Sequence, residues 1–60
     1  MNVTPQWLEN KIKSLNEWMI ECDITNQINH FEYAVKKQNR DYYVRKLIEL
    51  EKNQLKTIIV

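Results

Sequence analysis

The stretch KKQNRDYYVRK (residues 36–46) decides how many helices this chain forms. The apolar residues before it lie on the side of Ile28, and those after it lie on the side of Leu47. On one continuous helix, at 100° per residue, these two sides would be about 100–130° apart. Either the chain turns at residues 38–41, or one long helix presents two faces to different partners.

A turn at residues 38–41 is the preferred interpretation, because Asn39 and Asp41 are cap-forming residues placed immediately before a new apolar run. Either of them could begin a third helix. The buried side of that helix is expected to consist of Tyr43, Val44, Leu47, Ile48, Leu50 and Leu55. The single long helix remains the alternative, since neither glycine nor proline interrupts the stretch.

Composition favours helices over strands. The chain has 60 residues, with no glycine and one proline. Without glycine, left-handed turn positions fall to Asn or Asp, and tight β-hairpin turns are disfavoured. The hydrophobic content of 43% is that of a folded domain rather than a disordered segment. The sequence therefore indicates an all-α fold.

The first helix has a clear starting signal. Thr4 can be the N-cap, Pro5 suits the first helical position, and Val3 can pack onto Leu8 as a hydrophobic staple. From there an apolar stripe follows alternating steps of four and three residues, as expected for one buried side of a helix. The stripe consists of Leu8, Ile12, Leu15, Met19 and Cys22. Trp7 and Trp18 lie together on one flank of this stripe.

The next break falls at residues 23–26, where Asp23 or Thr25 can cap a second helix. The buried side of that helix is expected to consist of Ile24, Ile28, Phe31 and Val35. The tail at residues 57–60 is apolar and β-branched, and it is expected to be a frayed end packed loosely on the bundle. A docking strand or a dimer contact is the alternative for the tail.

These signals predict one helical domain over residues 1–60. It is a small three-helix bundle with helices near residues 4–22, 25–38 and 41–56, or a helical hairpin in which the last two merge. A chain this short buries only about 60% of the surface that it exposes when unfolded. One cysteine cannot form an intramolecular disulfide, and one cysteine with one histidine is too few ligands for structural zinc. We therefore expect self-association or a larger partner to complete the fold.

The sequence offers no set of residues for catalysis. His30 is the only histidine and lies on the polar side of the second helix, while Cys22 continues the apolar stripe of the first. Phosphate-binding loops require glycine, which is missing. The sequence thus predicts no enzyme activity, no catalytic residues, no cofactor and no metal site.

Composition also suggests where the protein is located and what kind of genome encodes it. No apolar run approaches the roughly 18 residues that span a bilayer, and no signal peptide is evident, so a cytoplasmic protein without a membrane partner is expected. Asn, Ile and Lys supply 21 of the 60 residues, a bias typical of AT-rich bacterial and phage genomes. The net charge is only +1, but residues 1–30 carry two basic and four acidic residues (−2), whereas residues 31–60 carry seven and four (+3).

Binding to another protein is the function that this pattern favours. Trp, Tyr and Arg are typical of interface hot spots, and basic residues steer acidic partners. The expected role is a small regulatory protein that modulates or inhibits a larger bacterial or phage protein, and that self-associates, with a dimer favoured. Its predicted partner-binding residues are Trp7, Trp18, Lys37, Arg40, Tyr42, Tyr43, Arg45 and Lys46. The partner should present an acidic or apolar surface.

Nucleic acid is the alternative partner. The basic residues around positions 36–46 could serve a small DNA-binding protein or a transcriptional cofactor, as in helix-turn-helix domains. Near-neutral net charge and the lack of a glycine turn make this the weaker hypothesis.

One part of the chain resembles a known kind of protein. The pattern Phe31, Ala34, Val35, Asn39, Tyr43, Leu47 and Leu50 is similar to the short helical hairpins of small Gram-positive regulatory proteins, including the IDEAL-type module and sporulation kinase-inhibitor hairpins. The resemblance covers about a third of the chain and consists of common residue types. It implies a small intracellular protein that binds another protein, and it assigns no functional residue.

Overall fold

The protein is a helical hairpin whose two ends are joined by a short pair of strands. The computed structural model describes residues 1–27 and 29–60. The elements in chain order are β1 (Asn2–Val3), α1 (Pro5–Thr25), α2 (His30–Lys52) and β2 (Ile58–Ile59). The hairpin alternative is therefore confirmed, and a three-helix bundle is not shown. No helix within these described residues is long and apolar enough to cross a membrane.

Helix α1 begins as its sequence predicts. Thr4 is the N-cap, and its hydroxyl oxygen accepts a hydrogen bond of 3.2 Å from the Trp7 backbone N–H. Pro5 occupies the first turn, where its missing N–H leaves no intrahelical bond unmade. Val3 and Leu8 are both buried in the same apolar cluster, as the predicted staple requires.

The turn between the helices uses two asparagines. Asn26 ends α1 in the left-handed conformation (φ 55°, ψ 28°), the role that a chain without glycine leaves to Asn. Asn29 caps α2 by accepting a hydrogen bond of 3.1 Å from the Glu32 backbone N–H. Helix α2 consequently begins at His30 and not near residue 25. The predicted burial of Ile28 lies outside the described residues.

Helix α2 runs unbroken from His30 to Lys52, so the predicted turn at residues 38–41 is wrong. The helix keeps one continuous inner face, whose members follow steps of three and four residues. These are Tyr33, Lys36, Arg40, Tyr43, Leu47 and Leu50, all buried or half-buried. Because this face already provides a regular contact with α1, no turn is needed to bring Leu47 and Leu50 inward.

Part of the predicted core is wrong, because several apolar residues expected to be buried are exposed. Ile24 belongs to α1 and is 78% exposed, while Phe31 is 80% and Val35 39% exposed. Ile48 and Leu55, both expected to be buried, are also exposed. Phe31 and Val35, before the stretch at 36–46, face outward, whereas Leu47 and Leu50, after it, face inward. The phase change in the apolar pattern therefore reflects one long helix with apolar residues on two faces.

The core lies at the end of the hairpin where the chain termini meet. Val3, Leu8, Leu50 and Ile58 form a buried cluster, and Trp7, Tyr43, Leu47 and Val60 pack against it. Farther along α1, Met19 is buried, and Ile12, Leu15 and Cys22 are half-buried, which confirms the predicted stripe. The turn end of the hairpin is less well covered than the end with the termini.

The tail is not a frayed end, because it forms a strand with the beginning of the chain. β1 and β2 are antiparallel, with Asn2 opposite Ile59 and Val3 opposite Ile58. The docking-strand alternative thus takes an intramolecular form. Before the strand, Gln54 adopts a positive φ of 55°, and the Leu55 backbone N–H donates to the Leu50 carbonyl at 2.9 Å. This Schellman-type ending turns the chain back towards the core.

Candidate partner-binding surface

The eight residues predicted to bind a partner do not form one surface. Trp7 and Tyr43 are half-buried against the core and meet edge to face, with ring centroids 5.6 Å apart. Such aromatic pairs stabilise a fold beyond the area that they bury. These two residues are engaged inside the hairpin, where they join α1 to α2.

Trp18 is also engaged across the two helices. Its ring lies 6.2 Å from the ring of Tyr33, and the Lys36 ammonium lies 5.8 Å from its ring centroid. Lys11 makes the equivalent contact with Trp7 at 5.4 Å. A lysine over a ring face combines charge attraction with packing of its aliphatic stem. Each tryptophan ring therefore has a lysine ammonium group over it.

Arg40 bridges the helices rather than extending into solvent. One guanidinium nitrogen donates to the Asn16 side-chain oxygen at 3.2 Å, and another pairs with Asp41 at 3.1 Å. The guanidinium thus has fewer free donors for an external acid than its charge suggests. Since Arg40 lies in the middle of α2, it also fixes the register of that helix against α1.

The exposed remainder of the predicted set lies on the outside of α2. Tyr42 and Arg45 are exposed, and Lys46 is half-buried with its ammonium 5.6 Å from the centroid of the Tyr42 ring. Together with Glu49 they line a shallow depression of about 270 Å³. We call Tyr42, Arg45 and Lys46 the basic face. Lys37 is exposed but lies about 140° around the helix from Tyr42, so it does not belong to this face.

A groove of about 340 Å³ runs between the helices on the side of the two covered rings. Its lining consists of Lys11, Ser14, Leu15, Trp18, Lys36, Asn39 and Tyr43. This lining includes two lysines and two aromatic rings, and none of its residues is acidic. That Lys11 and Lys36 line the same groove was not predicted, because their proximity depends on the register of α1 against α2.

The Cys22 thiol and the His30 imidazole are the two side chains to consider as nucleophile or base. Partial burial raises the pKa of the Cys22 thiol, and the nearby carboxylates of Glu32, Asp23 and Glu21 raise it further. A thiol with a raised pKa is mostly protonated at neutral pH, and the thiol is a weaker nucleophile than the thiolate. His30 is exposed at the first position of α2. Within residues 1–27 and 29–60, no three side chains of the metal-binding types come together.

A row of residues on the outside of α2 was predicted only in part, through Tyr42 and Arg45 and through the alternative of one long helix with two faces. Phe31, Val35 and Tyr42 are all exposed, and they share a row with polar residues at steps of four and three. We call the whole row the outer stripe; it consists of Phe31, Val35, Gln38, Tyr42, Arg45 and Glu49. It lies about 150° around the helix from the inner face. The apolar phase change was its signal, but it was interpreted as a turn.

Comparisons with protein-family models, with curated proteins and with solved structures find no match to this chain. The resemblance of residues 31–50 to Gram-positive regulatory hairpins is thus not supported by any matched family.

Proposed function

We propose that this chain is a non-catalytic regulatory protein that acts by binding a larger protein through the basic face. The observation that supports this most is the exposed Tyr42 ring, which lines one depression together with Arg45 and Lys46 on the outside of α2. The partner offers an acidic or apolar surface. Self-association is part of the same proposal.

The basic face is preorganised for binding. The Lys46 ammonium lies 5.6 Å from the centroid of the Tyr42 ring, and the Tyr43 ring meets the Tyr42 ring edge to face with centroids 5.6 Å apart. A side chain that is already ordered loses little conformational entropy when it is buried at an interface. Tyrosine and arginine are also the residue types that most often carry binding energy. Tyr42 is therefore the proposed anchor, and Arg45 the proposed partner of a carboxylate.

The charge of the helices supports an acidic partner. Helix α2 carries six basic and four acidic residues, a balance of +2, whereas α1 carries two and four, a balance of −2. An acidic surface would be attracted to α2 and would be repelled by α1. Lys36 and Arg40 lie on the inner face, so on the outside of α2 the attraction depends on the neighbouring cations of Arg45 and Lys46.

Nucleic acid is the second candidate, because Lys37, Arg45 and Lys46 are accessible on α2. Carboxylates interrupt this set, however. Asp41 and Arg45 line one depression, and Glu49 and Arg45 line another. A phosphate backbone would approach these carboxylates at the same time as the cations, and few counterions would be released. The geometry therefore favours a protein.

Photo-crosslinking tests the proposal with the full chain. A photoreactive phenylalanine analogue replaces Tyr42 in one variant and Ile48, which is 57% exposed on another side of α2, in the control. Crosslinking in the cells that carry the gene is expected to join a larger protein to the Tyr42 variant and not to the Ile48 variant. Adding Arg45→Glu should lower the yield about tenfold, the effect of losing ~1.4 kcal/mol of binding. Lys13→Glu, the same charge change on α1, should leave the yield unchanged.

Equal products at both positions, or none at Tyr42, would overturn the proposal. Binding to random duplex DNA at low salt distinguishes the second candidate. We expect no binding at micromolar protein. Binding whose affinity falls with salt by the slope of four or more phosphate contacts would instead favour nucleic acid.

A further inference from the structure

We infer that the groove between α1 and α2 binds a small aromatic molecule that carries two negative charges, such as a nucleoside monophosphate. The groove is the one lined by Lys11, Lys36, Trp18 and Tyr43. It contains no residue of the basic face, so the inference goes beyond the proposed function. Either of the two can fail without the other.

The groove has the size and the mixed lining of a site for a small molecule. Its volume of about 340 Å³ lies at the lower end of the range of roughly 300–1,000 Å³ in which ligand pockets fall. Leu15, Trp18 and Tyr43 supply apolar and aromatic surface, and all three are half-buried, so packing already orders them. The hydroxyl of Ser14 and the amide of Asn39 are exposed at the same groove and can donate hydrogen bonds to an anion.

The charge of the groove favours an anion. Lys11 and Lys36 are its two charged residues. Neither forms an ion pair within residues 1–27 and 29–60, where the contact between Arg40 and Asp41 is the one salt bridge. Glu32 lies one turn before Lys36, but it lines a different depression. Two like charges in one groove repel each other, and a dianion bound between them offsets this repulsion.

The other depressions described on this chain have a different charge. Asp41 lines one, Glu49 lines a second, and Glu21 and Glu32 line a third. Each of them therefore presents at least one carboxylate that repels an incoming anion. Of these four depressions, only the groove between the helices has no carboxylate in its lining.

Aromatic rings hold the two ammonium groups beside the groove. The Lys36 ammonium lies 5.8 Å from the centroid of the Trp18 ring, and the Lys11 ammonium lies 5.4 Å from that of Trp7. A ring contact restricts a long lysine side chain, so less conformational entropy is lost when an anion binds. Lysine binds phosphate as a point charge, and a phosphate monoester carries a charge of roughly −2 with three acceptor oxygens. Each ammonium can thus pair with one of the two charges.

The affinity should be modest, because part of the lining is exposed to solvent. Lys11, Ser14 and Asn39 are exposed, whereas Lys36 is half-buried. An exposed ion pair changes affinity by at most about fivefold. We therefore expect a dissociation constant of about 0.1–1 mM, a range that an NMR titration measures well.

Titration of the ¹⁵N-labelled full chain with adenosine 5′-monophosphate, and separately with phenyl phosphate, tests the site. The signals of Trp18 and Lys36 should shift and saturate, whereas that of Glu49, in another depression, should not. Adenosine supplies a ring without the charge, and inorganic phosphate supplies the charge without a ring. Each should bind at least about tenfold more weakly than the nucleotide. Equal affinity for either fragment, or no saturable shift with both aromatic phosphates at about 10 mM, would overturn the inference.

Replacing the lysines tests which charges bind the anion. Lys11→Gln and Lys36→Gln should each raise the dissociation constant about threefold, the effect of one exposed ion pair. Lys13→Gln removes the same charge about 160° around α1 from Lys11 and should leave the dissociation constant unchanged. Lys36→Arg keeps the charge and should bind like the wild type, which separates the loss of charge from a change in packing. Equal effects at Lys11 and Lys13, or equal affinities of the two Lys36 variants, would contradict the site.

An acidic segment of a protein is the competing occupant of the groove. A tetraglutamate peptide supplies several carboxylates without an aromatic ring, and it should bind at least about tenfold more weakly than adenosine 5′-monophosphate. A peptide that binds more tightly than both aromatic phosphates, and that shifts the same Trp18 and Lys36 signals, would assign the groove to a protein and would overturn the small-molecule inference.

Discussion

Replacing Arg40 with proline is expected to lower the free energy of unfolding by about 3 kcal/mol or more, the cost of proline inside a helix. Arg40 lies in the interior of α2, far from both of its ends. Proline there removes the backbone hydrogen bond to the preceding turn, and its ring clashes with the carbonyl of residue 36. Since a 60-residue domain has a stability of only about 3–9 kcal/mol, this loss is about a third of the total or more. Circular dichroism during urea titration measures the loss.

The matched control separates the backbone effect from the loss of the guanidinium. Arg40→Ala loses the hydrogen bond to Asn16 and the ion pair with Asp41, which together contribute about 1–2 kcal/mol in a half-exposed setting. The comparison also distinguishes the two folds considered from the sequence. If the chain turned at residues 38–41 with Asn39 as the cap, position 40 would be the first helical position, where proline is favourable. Equal stabilities of the proline and alanine variants would therefore contradict an unbroken α2.

Replacing Leu8 with alanine is expected to lower the free energy of unfolding by about 3 kcal/mol. Leu8 is fully buried, and it contacts the cluster that joins α1, α2 and both strands. Its truncation leaves a cavity where the two ends of the chain meet, and such a small core has few other residues that could fill it. Urea unfolding monitored by tryptophan fluorescence gives the change directly, because Trp7 packs against the same cluster.

Leu55→Ala provides the control for side-chain size. Leu55 is 44% exposed, so the same truncation there should cost less than about 1 kcal/mol. Equal losses at positions 8 and 55 would contradict a core concentrated at the termini end of the hairpin.

The sequence predicted α1 well because that helix has one apolar face and strong local signals. Thr4, Pro5 and the stripe from Leu8 to Cys22 all indicate the same start and the same buried side. When local propensity, capping and apolar spacing agree, tertiary packing has nothing to override.

Helix α2 was predicted less well because its apolar residues lie on two faces. Phe31 and Val35 were expected to lie inward, and this expectation required a turn between them and Leu47. In the structure the inner face includes Lys36 and Arg40, which pack by their aliphatic stems and by contacts with Trp18 and Asn16. The face of α2 that packs on α1 was therefore misplaced, because it includes two basic residues and only apolar residues were expected there.

The candidate site was predicted in part for the same reason. Tyr42 and Arg45 are exposed, as a binding surface requires, whereas Trp7 and Tyr43 are engaged in the hairpin. Exposure of an aromatic residue depends on which neighbours cover it, and a lysine such as Lys11 can do so from a polar position. The partner of the tail strand could not be predicted either, since pairing of distant two-residue segments leaves no periodic signal.

The unbroken course of α2 supports the whole account, because the basic face and the outer stripe exist only if residues 36–46 are helical. Backbone ¹³Cα chemical shifts of the labelled full chain, together with sequential amide–amide contacts in the NMR spectrum, test it most directly. We expect helical shifts without interruption from His30 to Lys52, including Gln38, Asn39 and Asp41. Coil-like shifts and missing amide contacts at residues 38–41 would contradict the account and would remove both surfaces with it.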